Sequence, residues 1–205
     1  MAIDKTGKTL IEYNVKNGQY QIGSGDVKSL TYLDSLTLTR NASTQSIYGD
    51  GEEQEQLVSD PNVSGSLVMT AKDEDFEKDL GFVEDLAGGQ GARLIKNMAT
   101  VNIYCEVYHQ EAGQPAKVKK LWLLNVRVSP ANETFNQNTD SVNPNNTEYP
   151  LTILGVNKKA TGGTADFIDP VTGDTVKVWR MSSKPTDSGY ATFGASVPVP
   201  TVAGS

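Results

Sequence analysis

With 205 residues, 37% of them hydrophobic and 21% charged, the chain has the composition of one globular domain and is short for two. Its 18 Lys and Arg against 25 Asp and Glu give a net charge of −7 and a pI near 4.7, which argues against a nucleic-acid binder with a basic patch; no apolar run approaches the roughly 20 residues that span a bilayer. One cysteine, Cys105, and one histidine, His109, exclude an internal disulfide, a Cys/His zinc site, and any Ser-His-Asp arrangement that does not use His109 as its base.

The start, MAIDKTGKTL, has neither the basic opening nor the apolar stretch of a signal peptide, so folding in the cytosol is expected. Asn17-Gly18 between two alternating runs predicts a hairpin, because a type I′ turn needs φ > 0 at both central residues. That turn would set Val15 opposite Tyr20 and Tyr13 opposite Ile22 on one face. A half-buried strand follows within Leu30 to Thr39, alternating best at Leu36-Thr37-Leu38-Thr39. The polar stretch from Arg40 to Asn62 reads as a loop, and a loop of that length in a compact domain calls for a function.

Ser64 to Ala71 then reads as a strand and Asp73 to Leu80 as a short helix. Acids fill its first turn, Phe76 and Leu80 share one face, and Gly81 stops it. Its charged residues are expected to form a solvated face. Asp75 and Asp79 lack the ordered ligands of a calcium loop. Ala87 to Leu94, AGGQGARL, has neither the Lys-Ser/Thr ending of a phosphate loop nor dinucleotide spacing, and is expected to be a flexible connection.

Two long strands are predicted next, Thr100 to His109 and Val118 to Ser129, joined by a turn around Gly113-Gln114-Pro115. The first places Val101, Ile103, Cys105, Val107 and His109 on one face, with Cys105 read as a core residue and His109 as a strand-end residue rather than a base. In the second, Trp122, Leu124, Val126 and Val128 are expected on one face and Leu121 and Leu123 on the other. Apolar residues on both faces require both to be covered, by the helix or by another subunit, which makes Leu121 and Leu123 candidate interface residues. After a polar connection come the strand Glu148 to Val156 and a late hairpin within Asp169 to Met181. From Ser182 the chain is rich in small residues and proline, so residues 1–181 are read as one β domain and 182–205 as a flexible tail. The N-x-S/T triplets at Asn41, Asn62, Asn132 and Asn145 match what composition alone produces.

Charge is unevenly placed. Between Tyr48 and Leu86 there are twelve carboxylates and two lysines, Lys72 and Lys78, so this segment carries −10 and the rest of the chain +3. Paired acids such as Asp50 with Glu52 or Glu53 would be the only material for a hydrolase, and such spacing is commonplace on loops. No catalytic, metal or cofactor site is expected.

The order of parts resembles the major tail protein of long-tailed, non-contractile bacteriophages, the tail tube subunit. The matching parts run from Leu30 to Val156. They are a strand, a long loop with an aromatic and acid pair (Tyr48-Gly49-Asp50), a strand containing Gly65-Ser66-Leu67-Val68-Met69, an acidic helix ending in Leu80-Gly81, and Thr139 to Val142 before a strand at Tyr149 to Val156. The resemblance implies a mainly β (α+β) fold, a β-sandwich or partly rolled barrel with one short flanking helix and a long inter-strand loop. It also implies hexameric rings stacked into a hollow tube through which DNA passes without sticking, in a virion tail made in the host bacterial cytoplasm. Implied partners are further copies of the chain and other tail proteins: tape measure, tail terminator and distal tail protein. Membrane insertion is not implied, and no cofactor is.

On that reading Tyr48, Asp50, Glu52, Glu53 and Glu55 form the inter-subunit loop, Phe76 and Leu80 pack the helix, and Asp34, Glu106 and Glu111 are candidates for the lumen wall. A tube subunit of a contractile tail or secretion machine and a surface β-sandwich binding module are the alternatives.

Overall fold

The computed structural model describes residues 10–41, 44–49, 52–58, 62–94, 98–111, 115–131 and 146–202, with the backbone path alone at 10, 11, 44–49, 52–58 and 111. The strands in chain order are β1 (Leu10–Ile22), β2 (Lys28–Ser29), β3 (Leu33–Asn41), β4 (Thr44–Gly49), β5 (Glu52–Val58), β6 (Asn62–Met69), then helix α1 (Glu74–Asp79), β7 (Val83–Leu86), β8 (Gly89–Ala92), β9 (Thr100–Glu111), β10 (Lys117–Val128), β11 (Thr147–Ile153), β12 (Val156–Asn157), β13 (Lys177–Val178) and β14 (Arg180–Ser183). The fold is mainly β with one short helix, as the sequence predicts.

The main sheet runs β2-β1-β9-β10-β11-β6-β3, with β14 also pairing β10, and its strand pairs are antiparallel. Its two ends, β2 and β3, are consecutive in the chain and separated by the corner Leu30–Tyr32, where Tyr32 takes φ +63. The Leu30 N–H donates to the Gly18 carbonyl at 2.8 Å. A Cβ on Gly18 would lie 2.9 Å from Leu33 Cδ2, so the absence of a side chain there lets β1 approach the start of β3.

No hairpin forms at Asn17-Gly18. Strand β1 runs through it, pairing Tyr13 with Tyr108, Val15 with Val107, Tyr20 with Ile103 and Ile22 with Val101, with bulges on either side of Val15 and Lys16. Asn14 and Asn17 take φ of +59 and +50. The left-handed propensity that signals a turn is spent on two bulges, because a long ladder on β9 with burial of Tyr20 outweighs a local two-residue loop.

The predicted loop Arg40 to Asn62 is largely strand. Asn41 pairs with Asn62 at the end of the β3·β6 ladder, and beyond it β4 and β5 form a separate antiparallel hairpin from Thr44↔Val58 to Gly49↔Glu52. Cross-strand backbone bonding needs no apolar side chains, which is why a polar sequence concealed it. AGGQGARL is likewise ordered: β8 pairs with β7, from Val83↔Ala92 to Leu86↔Gly89. The strand from Glu148 breaks at Leu154-Gly155, with Gly155 at φ +69. The chain does reverse at Asp169–Asp174, bridged by Ile168↔Thr175, yet the strands beyond pair elsewhere, β13 with β12 and β14 with β10.

The main core gathers Tyr20, Leu67, Ile103, Leu123, Val126 and Tyr149 with Phe76 and Leu80 of the helix end. Phe76 packs edge-on to Tyr20 at 4.8 Å and to Tyr149 at 5.9 Å between ring centroids, the geometry aromatic quadrupoles favour.

Candidate functional site

The acidic helix is wired into the core rather than solvated. Asp73 caps α1 by accepting from the Phe76 N–H at 3.1 Å, and its other oxygen accepts from the N–H and hydroxyl of Thr31, so one carboxylate joins the helix start to the corner before β3. Glu77 is buried and accepts from the Tyr149 hydroxyl at 2.7 Å. Asp79 accepts from the Tyr20 hydroxyl at 2.7 Å and from Lys28 at 2.6 Å. Burial works against the Asp79 carboxylate, but the hydrogen bonds from Lys28 and Tyr20 outweigh it and hold its pKa below the ordinary 3.8. Burial, followed by the Asp79 hydrogen bond, pushes the Tyr20 hydroxyl upward. The expected solvated face is therefore corrected for Asp73, Glu77 and Asp79, whose oxygens meet donors that the sheet supplies.

The surrounding acids are engaged too. Glu74 accepts from Gln90 at 2.9 Å, Asp85 pairs with Lys78 at 3.0 Å and Glu84 with Arg93 at 3.5 Å. Of the carboxylates between residues 73 and 85, Asp75 alone has no hydrogen-bond or ion-pair contact among the described residues. The other carboxylates of the acidic segment, Asp50, Glu52, Glu53, Glu55 and Asp60, lie upstream in the sequence.

Over β9 and β10 the outer side of the sheet is covered by the chain itself. Tyr104, Trp122 and Leu124 form a second core, packed by Val27, Val156, Val178, Met181, Phe193 and Val197. Trp122 Nε1 donates to the Phe193 carbonyl at 2.7 Å, Lys120 to the Tyr190 carbonyl at 2.8 Å, and the Tyr190 hydroxyl to the Val118 carbonyl at 2.9 Å. The segment 182–205, expected as a flexible tail, thus contributes the end of β14, at Ser182 and Ser183, and then a strap that packs on the sheet as far as it is described. Lys159 and Thr201 form a parallel bridge near its end. A sequence of small residues misled because the strap buries a few side chains and offers carbonyls to long donors, leaving no periodic pattern.

Strand β10 also changes face. Its pairing with β9 slips between Leu123 and Val126, where Asn125 takes φ +54. The bulge puts Val126 and Val128 on the side of Leu123 in the main core and leaves Trp122 and Leu124 outside. Leu121 and Leu123 are 8% and 0% exposed within the single chain, so neither offers free surface to a partner.

Cys105 is 1% exposed, and burial pushes its thiol up to about 12, which leaves it protonated and inert. His109 is buried on the same face, with Nδ1 unpartnered. Among the described residues, no three His, Cys, Asp or Glu side chains come together as a metal site.

Of the lumen candidates, Asp34 is exposed on β3. Glu106 is half-buried at the strap and accepts from Asn17 at 2.6 Å and Tyr104 at 2.9 Å. Only the backbone is described for Glu111, as for Tyr48, Glu52, Glu53 and Glu55. Asp50, Gly113, Gln114 and Thr139 to Val142 lie outside the described residues.

Two open surfaces stand out among the described residues. Strand β1 is paired by β2 only at Gln19 and Tyr20, so among the described residues its edge from Leu10 to Lys16 faces no strand. The second is a cleft of about 1510 Å³ at the root of the β4–β5 hairpin, lined among others by Arg40, Asn62, Lys177 and Trp179. Its cations come from segments more than a hundred residues apart, so no local sequence signal could have found it. Comparison with protein-family models and with curated proteins gives no match.

Proposed function

We propose that this chain is a structural subunit that associates with copies of itself, head to tail, into closed rings which stack as a hollow tube for the passage of DNA. The observation that carries this reading is the pair of features a monomer does not need: a two-stranded hairpin separate from the main sheet, and an edge on β1 that is unpaired from Leu10 to Lys16 among the described residues. An exposed edge presents a row of unsatisfied N–H and C=O groups and is a template for pairing with another chain. On the far side of the β1–β9–β10 ribbon, β14 meets β10 only from Lys120 onward. The two edges of the ribbon differ, so pairing between them is heterologous, and heterologous contacts close into rings or run on as filaments.

The finer architecture fits the same reading. A sheet whose first and last strands are joined by a short corner, flanked by one helix locked through Asp73, Glu77 and Asp79, supports the partly rolled barrel with a flanking helix that the resemblance to tail tube subunits implies. Six copies per ring, and tape measure, tail terminator and distal tail proteins as partners, come from that resemblance. An acidic wall suits a conduit, since each phosphate neutralised by a protein cation releases counterions and adds affinity for DNA. Because Glu106 is engaged at the strap, Asp34 is the better lumen candidate of the two whose side chains are described.

Negative-stain microscopy and light scattering of the purified chain test the reading. Rings or tubes that grow with concentration are expected. A particle that stays monomeric across a wide concentration range and under assembly conditions overturns it.

A further inference from the structure

The hairpin carries acids and no cation in its own sequence. Asp50, Glu52, Glu53 and Glu55 sit in a stretch without a single Lys or Arg between Arg40 and Lys72. The β4–β5 ladder extends from Thr44↔Val58 to Gly49↔Glu52. At about 3.3 Å per residue its tip stands roughly 17 Å from its own base, about twice the ~8 Å over which salt screens exposed charges. Cations at the root of the same hairpin are too far from Glu52 and Glu53 for effective neutralisation, and Glu55, opposite Ile47, stands about 10 Å from the base.

The cleft at that root holds the complementary charge. It is lined by Arg40, Lys159 and Lys177 against Asp174. Lys159 is already paired with Asp166 at 2.7 Å. Arg40 and Lys177 are exposed and, among the described residues, have no carboxylate in ion-pair contact. Trp179 lines the same cleft, with the Arg180 guanidinium 5.0 Å from its ring centroid.

From this complementarity we infer that the cleft receives the acidic hairpin tip, residues 50–55, of a second copy of this chain, with Arg40 and Lys177 as the charged contacts. The inference rests on the self-association proposed above and names the receiving surface. One copy's tip enters the next copy's cleft, and that copy's own hairpin springs from the rim of the cleft it fills, so the contact repeats without closing and propagates a stack.

The test uses the full-length chain and a synthetic peptide of residues 44–58, read by tryptophan fluorescence and by calorimetry. Binding is expected, weakening about tenfold between 50 and 500 mM NaCl as rim charges are screened. It should be lost with R40Q/K177Q and with a peptide whose four acids are replaced by Gln. Melting temperatures of the variants establish that they fold. In assembly, R40E/K177E should give rings without tubes, and adding E52K/E53K should restore tubes. Absence of peptide binding, equal binding by R40Q/K177Q, or tubes from R40E/K177E as long as those of the wild type would overturn the inference and leave the ring reading standing. Peptide binding as described, in a wild-type chain that never forms rings, would support the cleft and sink the ring reading.

Discussion

Gly65 is where the main sheet tolerates least change. It lies in β6, opposite Leu38 of β3 and Leu151 of β11. A Cβ there would sit 2.0 Å from the Thr37 carbonyl oxygen and 3.1 Å from its carbon. The obstacle is backbone, so no rotamer change relieves it; β3 must move away from β6, straining the ladder that roots the hairpin. Gly65→Ala gains about 0.4–1 kcal/mol by restricting the unfolded chain, while overpacking costs typically 1–3 kcal/mol and occasionally more. Taking the upper end for a backbone clash, the net loss is about 2 kcal/mol, or roughly 4–8 °C in melting temperature for a chain of this size. Gly89→Ala is the control: it occupies a strand with nothing within 4 Å of the added Cβ, and should melt within about a degree of the wild type. Calorimetry on both variants checks this. A Gly65→Ala protein as stable as the Gly89→Ala control would refute the close approach of β3 to β6.

Other outcomes follow from the same contacts. Trp122→Phe keeps most of the apolar bulk but loses the hydrogen bond to Phe193, so it should cost about 1 kcal/mol and speed proteolytic cleavage within 184–202, as limited digestion will show. Asp79 has a folded pKa below its ordinary value, so its contribution is present above about pH 3.8 and is lost as pH falls through the depressed folded value; Asp79→Asn should flatten that part of the acid-denaturation profile. Cys105 should ignore a thiol reagent at pH 8 in the native chain and react at once in denaturant, as absorbance titration will report. Deletion of Thr44 to Glu55 should leave a folded chain, by circular dichroism, that no longer stacks by microscopy.

Periodicity and capping chemistry were enough to place several elements from sequence. The period of two in β3, β9 and β10, and the acid-rich start with Phe76 and Leu80 ahead of Gly81 in α1, are local signals, because strand alternation and helix caps depend on neighbours within a few residues. The alternation from Val101 to His109 holds along β9 because the extra residues of its bulged pairings lie on its neighbours, between Tyr13 and Val15 and between Lys16 and Gln19 of β1 and between Leu123 and Val126 of β10. Everything that hinged on which distant segment would pair was left to tertiary structure. Asn17-Gly18 carries the chemistry of a turn and became a bulge because β9 was available to the whole of β1. Asn125 shifted two valines to the inner face through a register slip that alternation cannot anticipate. The acids of α1 became struts because Thr31, Tyr20, Lys28 and Tyr149 converge on them from three other parts of the chain, and the residues after Ser182 became a strap because Trp122 and Lys120 hold donors toward their carbonyls. Local sequence thus sets the conformations each segment can adopt, whereas the choice among them is made by burial and hydrogen bonding to partners far away in the chain.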